Sequence, residues 1–260
     1  MKKELTSEQE NLSSPEREGH HLLIGIHGGV GVGKSKLAEL MDEKFEMTIF
    51  EEKFSQNPYL ERFYTDPQKW SFYSQVFFLE DVFEQMEWLP EILENGSAIV
   101  DPTHWQHAEI FAWTQHQMDW MSDKDYQVYL TIHEALAEES SAPTPDIVIS
   151  VHAPVATMID RIKGRGRPYE LWMLKYHPDY FSQIAQRVEN WAEENLHNVP
   201  IIIVDSGKFN YVDNLDDAFS VTNQIQREVL EQLDDRKDVI LPESFIPRPI
   251  MDSTVGKRFR

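Results

Sequence analysis

The stretch GGVGVGKSK, residues 28–36, constrains the fold of this chain more than any other segment. Gly28 is followed by four free positions and then by Gly33, Lys34 and Ser35, with Gly31 inside the loop and Lys36 directly after it. The run before it, LLIGI, is short and apolar, as expected of a buried strand. The run after it, KLAELMDEKF, reads as a helix. Glycines in such a strand–turn–helix unit let backbone N–H groups turn toward phosphate. Lys34 would bring positive charge to β- and γ-phosphates, and Ser35 a hydroxyl for Mg2+. The expected cofactors are therefore ATP, or another nucleoside triphosphate, and Mg2+. The competing reading is a glycine turn that binds nothing, and the coincidence of buried strand, Gly-Lys-Ser and helix argues against it.

The rest of the chain alternates in the same way. Strands are expected at 22–27, 47–52, 97–101, 146–151 and 199–206. Helices are expected at 34–45, from 67 onward with a break near Pro90, at 105–121, from a cap at Ser122 to 139, from 156, at 179–194 and at 216–233. A short helix and turn fall in 57–66, and a loop at 140–145. Strands alternating with helices imply an α/β chain with a five-stranded, mostly parallel sheet covered on both faces. Ligands of such sheets sit beyond the carboxyl ends of the strands. Residues 1–20 read as a flexible polar lead-in, 21–234 as one α/β domain, and 235–260 as an irregular, proline-punctuated tail.

Composition narrows the partners. The chain has 260 residues and a formal charge of −21, which argues against a nucleic-acid polymer as the main partner. It has no cysteine, so thiol nucleophiles, disulfides and thiolate metal sites are excluded. It shows neither an apolar signal core nor a membrane-length apolar run, so the expectation is a cytoplasmic protein with no membrane partner.

Several residues carry candidate chemistry. Glu51 and Glu52 close the second strand, on the same edge as the glycine loop, where a carboxylate can take a proton from a substrate hydroxyl. Asp101 ends the third strand and is a candidate Mg2+ ligand with Ser35. Arg161, Arg165 and Arg167 form a compact basic group in an acidic chain, with the look of a lid over phosphates, and Glu170 is placed to pair with one of them or with a substrate hydroxyl. Gln75 is an isolated amide among Trp70, Phe72, Tyr73, Phe77 and Phe78, suited to a nucleobase edge between stacking rings. His104 and His107 are three apart, which is a weak metal signal and more often marks satisfied or solvent-facing histidines.

Taken together, these motifs resemble the deoxyribonucleoside kinase family, in particular its smaller bacterial deoxyadenosine/deoxyguanosine kinases. The resemblance runs over residues 22–205 and rests on the glycine loop, on FEEKFSQNPYLERFYTDPQKWSFYSQVFFL at 50–79 and on RIKGRGRPYE at 161–170. It implies a three-layer P-loop kinase fold and transfer of phosphate from ATP to the 5′-hydroxyl of a deoxynucleoside. It also implies Glu52, rather than Glu51, as the base for that hydroxyl. Lys34 and Arg161 would act in transfer, with Arg165 and Arg167 over the phosphates. Gln75 and Phe78 would meet the base, and Tyr64 and Glu170 the sugar. A homodimer built from long helices is implied as well. The sequence departs from the family pattern on the acceptor side. Pro102 stands where an arginine follows the third strand, Val82 where another arginine is usual, His107, Ala108 and Glu109 where an acidic residue is expected, and Val188 where a tyrosine is common. Two alternatives follow: a P-loop kinase with a changed small-molecule or nucleotide substrate, and a catalytically weak nucleotide-binding regulatory protein.

Overall fold

The apolar strands are built to be covered on both sides. A computed structural model describes residues 19–140 and 143–246, and five strands in it form one wholly parallel sheet. They are β2 (Leu23–Gly28), β3 (Thr48–Glu51), β4 (Ala98–Asp101), β5 (Ile147–His152) and β6 (Ile201–Asp205), in the order β3-β4-β2-β5-β6. Side chains alternate between faces along each strand. Ile24, Ile26, Ile149, Val151, Ile202 and Val204 pack with Leu37, Met41 and Phe45 of α1 (Lys34–Phe45) and with Val221, Ile225 and Val229 of α10 (Leu215–Gln232). On the other face, Leu23 and Val100 meet Leu79 and Phe83 of α3 (Pro67–Met86), while Val148 meets Phe181 and Ile184 of α9 (Asp179–Asn195). This double burial is why the strands read as continuous apolar runs.

Local chemistry sets several element ends. Ser122 accepts a hydrogen bond from the Asp125 N–H and starts α6 (Asp123–Glu139) as expected. Pro90 lies in the first turn of a separate helix, α4 (Leu89–Asn95), which accounts for the expected break. The expected helix at 105–121 is instead a π-helix at Gln106–Ala112 that continues into α5 (Trp113–Gln117). Most of the basic group, read as a lid, lies within a helix. Helix α7 (Val155–Arg165) runs through Gly164 and stops at Gly166, whose φ of 70° and N–H bond to Ile162 form a left-handed cap. Only Gly166 and Arg167 separate it from α8 (Pro168–Tyr176), a helix absent from the sequence reading.

The described part of the tail is more regular than its prolines suggested. β7 (Val239–Ile240) pairs in parallel with β1 (His20–His21), and Asp146 ties the two together by accepting from His20 and Arg236. Phe245 is fully buried and stacks on Phe45, ring centroids 3.9 Å apart. Residues 247–260, and 1–18 of the lead-in, lie outside the described residues. Because Phe245 sits in the main core, Phe245→Ala is expected to cost about 3–5 kcal/mol. Urea unfolding checks this, and a loss of a few tenths would show that the tail is not packed as described.

Candidate active site

The site is a cleft of about 340 Å³ beyond the carboxyl ends of β2, β3 and β4. Its floor is the glycine loop. Gly31 (φ 83°) and Gly33 (φ 101°) hold left-handed conformations that L side chains resist. A Cβ at Gly33 would also meet the Tyr211 hydroxyl at 3.0 Å. The loop is braced from outside. Arg161 donates to Val32 O (2.9 Å), to Ser206 Oγ (2.9 Å) and to Ser206 O (2.7 Å), and Tyr211 donates to Val32 O and Gly33 O. From inside, Gln106 accepts from Gly28 N–H (2.7 Å) and donates to Gly28 O (3.2 Å). With its carbonyls turned to these partners, the loop has N–H groups left for a ligand.

Lys34, Ser35, Lys36, Glu52, Tyr64, Gln75, Phe78, Asp101, Arg165, Arg167 and Glu170 all line the cleft, as do Gly31 and Gly33. Gly28 and Arg161 do not. Gly28 lies in β2, held by Gln106, and the Arg161 fork is engaged by loop and β6-end groups. These bonds give Arg161 the position of a brace for the glycine loop in this structure. Arg161→Lys loses the fork and is expected to destabilise the fold by about 1–3 kcal/mol. Amide exchange should quicken at Leu37, whose N–H is bonded to Gly33 O, and unchanged exchange there would remove the brace.

Glu52 follows β3 and is held from both sides. Its N–H donates to Asp101 O (3.0 Å), and the next N–H, of Lys53, donates to Asp81 (3.1 Å). The Lys53 ammonium is shared between Asp81 and Glu84 at 3.1 and 3.0 Å. The Glu52 carboxylate opens to the cleft but has protein on its other sides. Burial pushes its pKa up to about 7, with Asp101 and Asp81 adding to the rise and Lys34 opposing it. Glu51, by contrast, is exposed at the cleft rim.

Asp101 is buried. Its Oδ2 accepts from Ser35 Oγ at 3.2 Å, and its Oδ1 has no partner. Burial raises its pKa, against the pull of Lys34 and the Ser35 bond. Gln75 is likewise buried with its Oε1 unpartnered. Rings line the same cleft: Phe54, Phe63, Tyr64, Phe78, Phe111, Tyr169 and Tyr180. Val82, in the position of a usual family arginine, is buried against Leu79, Phe83 and Met86 and brings no charge. In the lid region, Arg165 grips Glu170 with two bonds (2.7 and 3.1 Å), Arg167 reaches the same carboxylate at 3.4 Å, and Arg167 also lies over the Phe54 ring. His104 and His107 share no ligand, for His104 faces His133 at 2.8 Å and His107 faces Glu52 at 3.7 Å.

Sequence reading missed Gln106, Tyr169, Tyr180, Tyr211 and the Glu52–His107 approach. Each depends on contacts between distant segments, and no local pattern marks them.

Comparison with known proteins completes the picture. The family pattern described as deoxynucleoside kinase matches residues 24–231. A deoxyadenosine/deoxycytidine kinase of Bacillus subtilis (strain 168) is 29% identical over 212 residues, covering 80% of this chain and 94% of that protein. A deoxyguanosine kinase of Lactobacillus acidophilus is 28% identical over 214 residues, covering 80% of this chain and 91% of that protein. A solved structure of deoxyadenosine kinase from M. mycoides with the products dCMP and a flexible dCDP superposes with a TM-score of 0.67 at 26% identity, covering 79% of this chain and all of that one.

Proposed function

The chain belongs to the deoxynucleoside kinase family, whose pattern spans residues 24–231, and from that premise we propose that it transfers the γ-phosphoryl group of ATP to the 5′-hydroxyl of a deoxynucleoside. The fold is read as the three-layer P-loop kinase type. The observation that carries the proposal is the convergence of Lys34, Glu52, Asp101, Arg165 and Arg167 on one cleft.

Free N–H groups of the glycine loop and Lys34 hold the β- and γ-phosphates, with Lys36 at the mouth. Glu52 accepts the proton of the 5′-hydroxyl as its oxygen bonds to phosphorus and the bond to the ADP oxygen breaks. Arg165 and Arg167 leave Glu170 for the phosphates, and Glu170 and Tyr64 then face the sugar. Gln75 offers its unpartnered amide to a base edge, against Phe78 and the other rings. The Ser35 hydroxyl and the unpartnered Asp101 oxygen fit Mg2+, directly or through water. When bound, Mg2+ supplies charge neutralisation to the phosphates.

Support for a deoxynucleoside comes from the relatives' substrates and from a pocket of nucleoside dimensions. A changed acceptor is the second reading, favoured by Pro102 and Val82, which leave the acceptor side without the two arginines of the family pattern. A catalytically weak nucleotide-binding regulator is the third. The remaining proposals are a cytoplasmic homodimer formed through the long helices, where Tyr73 and Val128 are exposed. Among the described residues, no helix is long and apolar enough to cross a membrane. A mass-detected ATP transfer screen against the four deoxynucleosides, the ribonucleosides and nucleoside monophosphates tests the reading. Product from a deoxynucleoside supports it, product only from another acceptor selects the second reading, and ATP binding without transfer selects the third.

A further inference from the structure

We infer that His107 is a positioning residue for Glu52, donating a hydrogen bond that aims the carboxylate at the acceptor hydroxyl. The inference rests on the proposed role of Glu52 as base. His107 Nε2 lies 3.7 Å from Glu52 Oε1, just beyond hydrogen-bond contact, and such contacts commonly tighten when substrate closes a site. Its ring has little freedom to go elsewhere. It is 1% exposed and lies parallel to Phe78 (13° between planes, centroids 5.6 Å apart), with the Phe111 ring centroid 6.2 Å away.

The backbone under it is fixed as well. Gln106, the preceding residue, is bonded to both polar groups of Gly28. The π-turn from Gln106 to Ala112 buries Gln106, His107 and Ala108 in succession. The imidazole therefore has its height set by the glycine loop and its tilt by Phe78.

Chemistry chooses the tautomer. Nδ1 is buried without a partner, and the carboxylate can only accept. A proton on Nδ1 would strand a buried donor and aim a lone pair at Glu52. A proton on Nε2 strands only an acceptor and gives Glu52 a donor. Burial, with His104, Lys34 and His133 adding to it, lowers the His107 pKa to about 3, so the ring is neutral near pH 7. The other groups facing Glu52 are Lys34, Asp101, Asp81 and Tyr180. Among them only Lys34 is cationic, and in the proposed reaction its charge is committed to phosphate.

The test is a set of variants assayed for transfer and for ATP affinity. His107→Phe keeps an aromatic ring but has no donor, and is expected to lower kcat about ten- to a hundredfold with ATP affinity unchanged, the scale of a misplaced catalytic group. His107→Gln, whose amide nitrogen can stand near Nε2, is expected to recover most of that loss. In a Glu52→Gln background, His107→Phe should have no further effect on residual turnover. Wild-type turnover by His107→Phe, or the same loss in both backgrounds, overturns the inference while leaving the kinase reading intact. If His107→Phe does not fold, His107→Leu, which also has no donor, takes its place, and wild-type turnover by it, or the same loss with and without Glu52→Gln, overturns the inference. No transfer by the wild-type chain removes both readings together.

Discussion

Glu52→Gln lowers kcat by about a hundred- to ten-thousandfold, the usual contribution of a positioned base, while ATP affinity stays within about twofold. The amide fills the same space but cannot take the proton. ATP affinity is expected to be spared because, in the proposed reading, the glycine loop and Lys34 hold the phosphates without it. Titrating ATP against the variant and measuring its turnover separate these two effects. Equal, small changes in both would remove Glu52 from the chemistry.

The pH profile follows from the same group. Burial holds the Glu52 carboxyl near pKa 7 in the free protein, so the base is mostly protonated at pH 6 and mostly ionised at pH 8. Transfer is expected to rise with pH on that limb, with kcat/KM half-maximal near 7. For stability, a carboxyl raised in the fold favours the folded state while protonated, below its unfolded value near 4.5. That advantage is lost as pH rises through about 7. At pH 8 the ionised side chain therefore weighs against folding, and Glu52→Gln should be the more stable protein by about 1–3 kcal/mol. A melting temperature at pH 8 equal to or below wild type would count against a half-buried, costly carboxylate.

The second large effect is loss of the fold in mild acid. His27, His104 and His107 are all buried, and burial lowers each pKa to about 3. Between the ordinary value near 6.5 and 3, the unfolded chain binds three protons that the folded one refuses. Stability is thus present above 6.5 and lost as pH falls, at about 1 kcal/mol per pH unit for each ring. Glu51, Glu52, Asp101 and Glu109, with raised values, pull the other way, while His133 and His152, with lowered ones, add to the loss. The five rings outnumber the four carboxyls, leaving a net loss on the order of 1–3 kcal/mol per pH unit. With total stability of about 5–15 kcal/mol, unfolding is expected below about pH 5. Circular dichroism against pH measures the midpoint. His27→Gln, which can keep a bond to Thr103, should move it to lower pH, and an unmoved midpoint would exclude His27 from the transition.

The sheet was legible because doubly buried parallel strands have to be apolar throughout. Leu23–Gly28, Ile147–His152 and Ile201–Asp205 stand out from helices whose apolar residues recur by turns. The glycine loop was legible because left-handed positions such as Gly31 and Gly33 demand one residue type. The π-helix was not, since its wider turn uses the same side chains as an α-helix, and Gln106–Ala112 differ only in which of them are buried. β1 and β7 are two residues each, too short to carry an alternation. In the cleft, Gln75 and Asp101 stood out as polar residues among rings or at a strand end, whereas Glu52 was preferred to Glu51 on the family resemblance. His107 and Tyr211 did not stand out, because their partners lie 55 and 178 or 179 positions away and only the folded register brings them together.

The paired bonds between Gln106 and Gly28 have a mechanical meaning. In the proposed reading, one carboxamide gears the turn that would face the phosphate donor to the wall that would face the acceptor. Adding or removing a residue between Asp101 and Gln106 would slip that gear by a tooth, stranding two polar groups inside the protein. Damage on the nucleoside side should then be felt first as slack under the triphosphate.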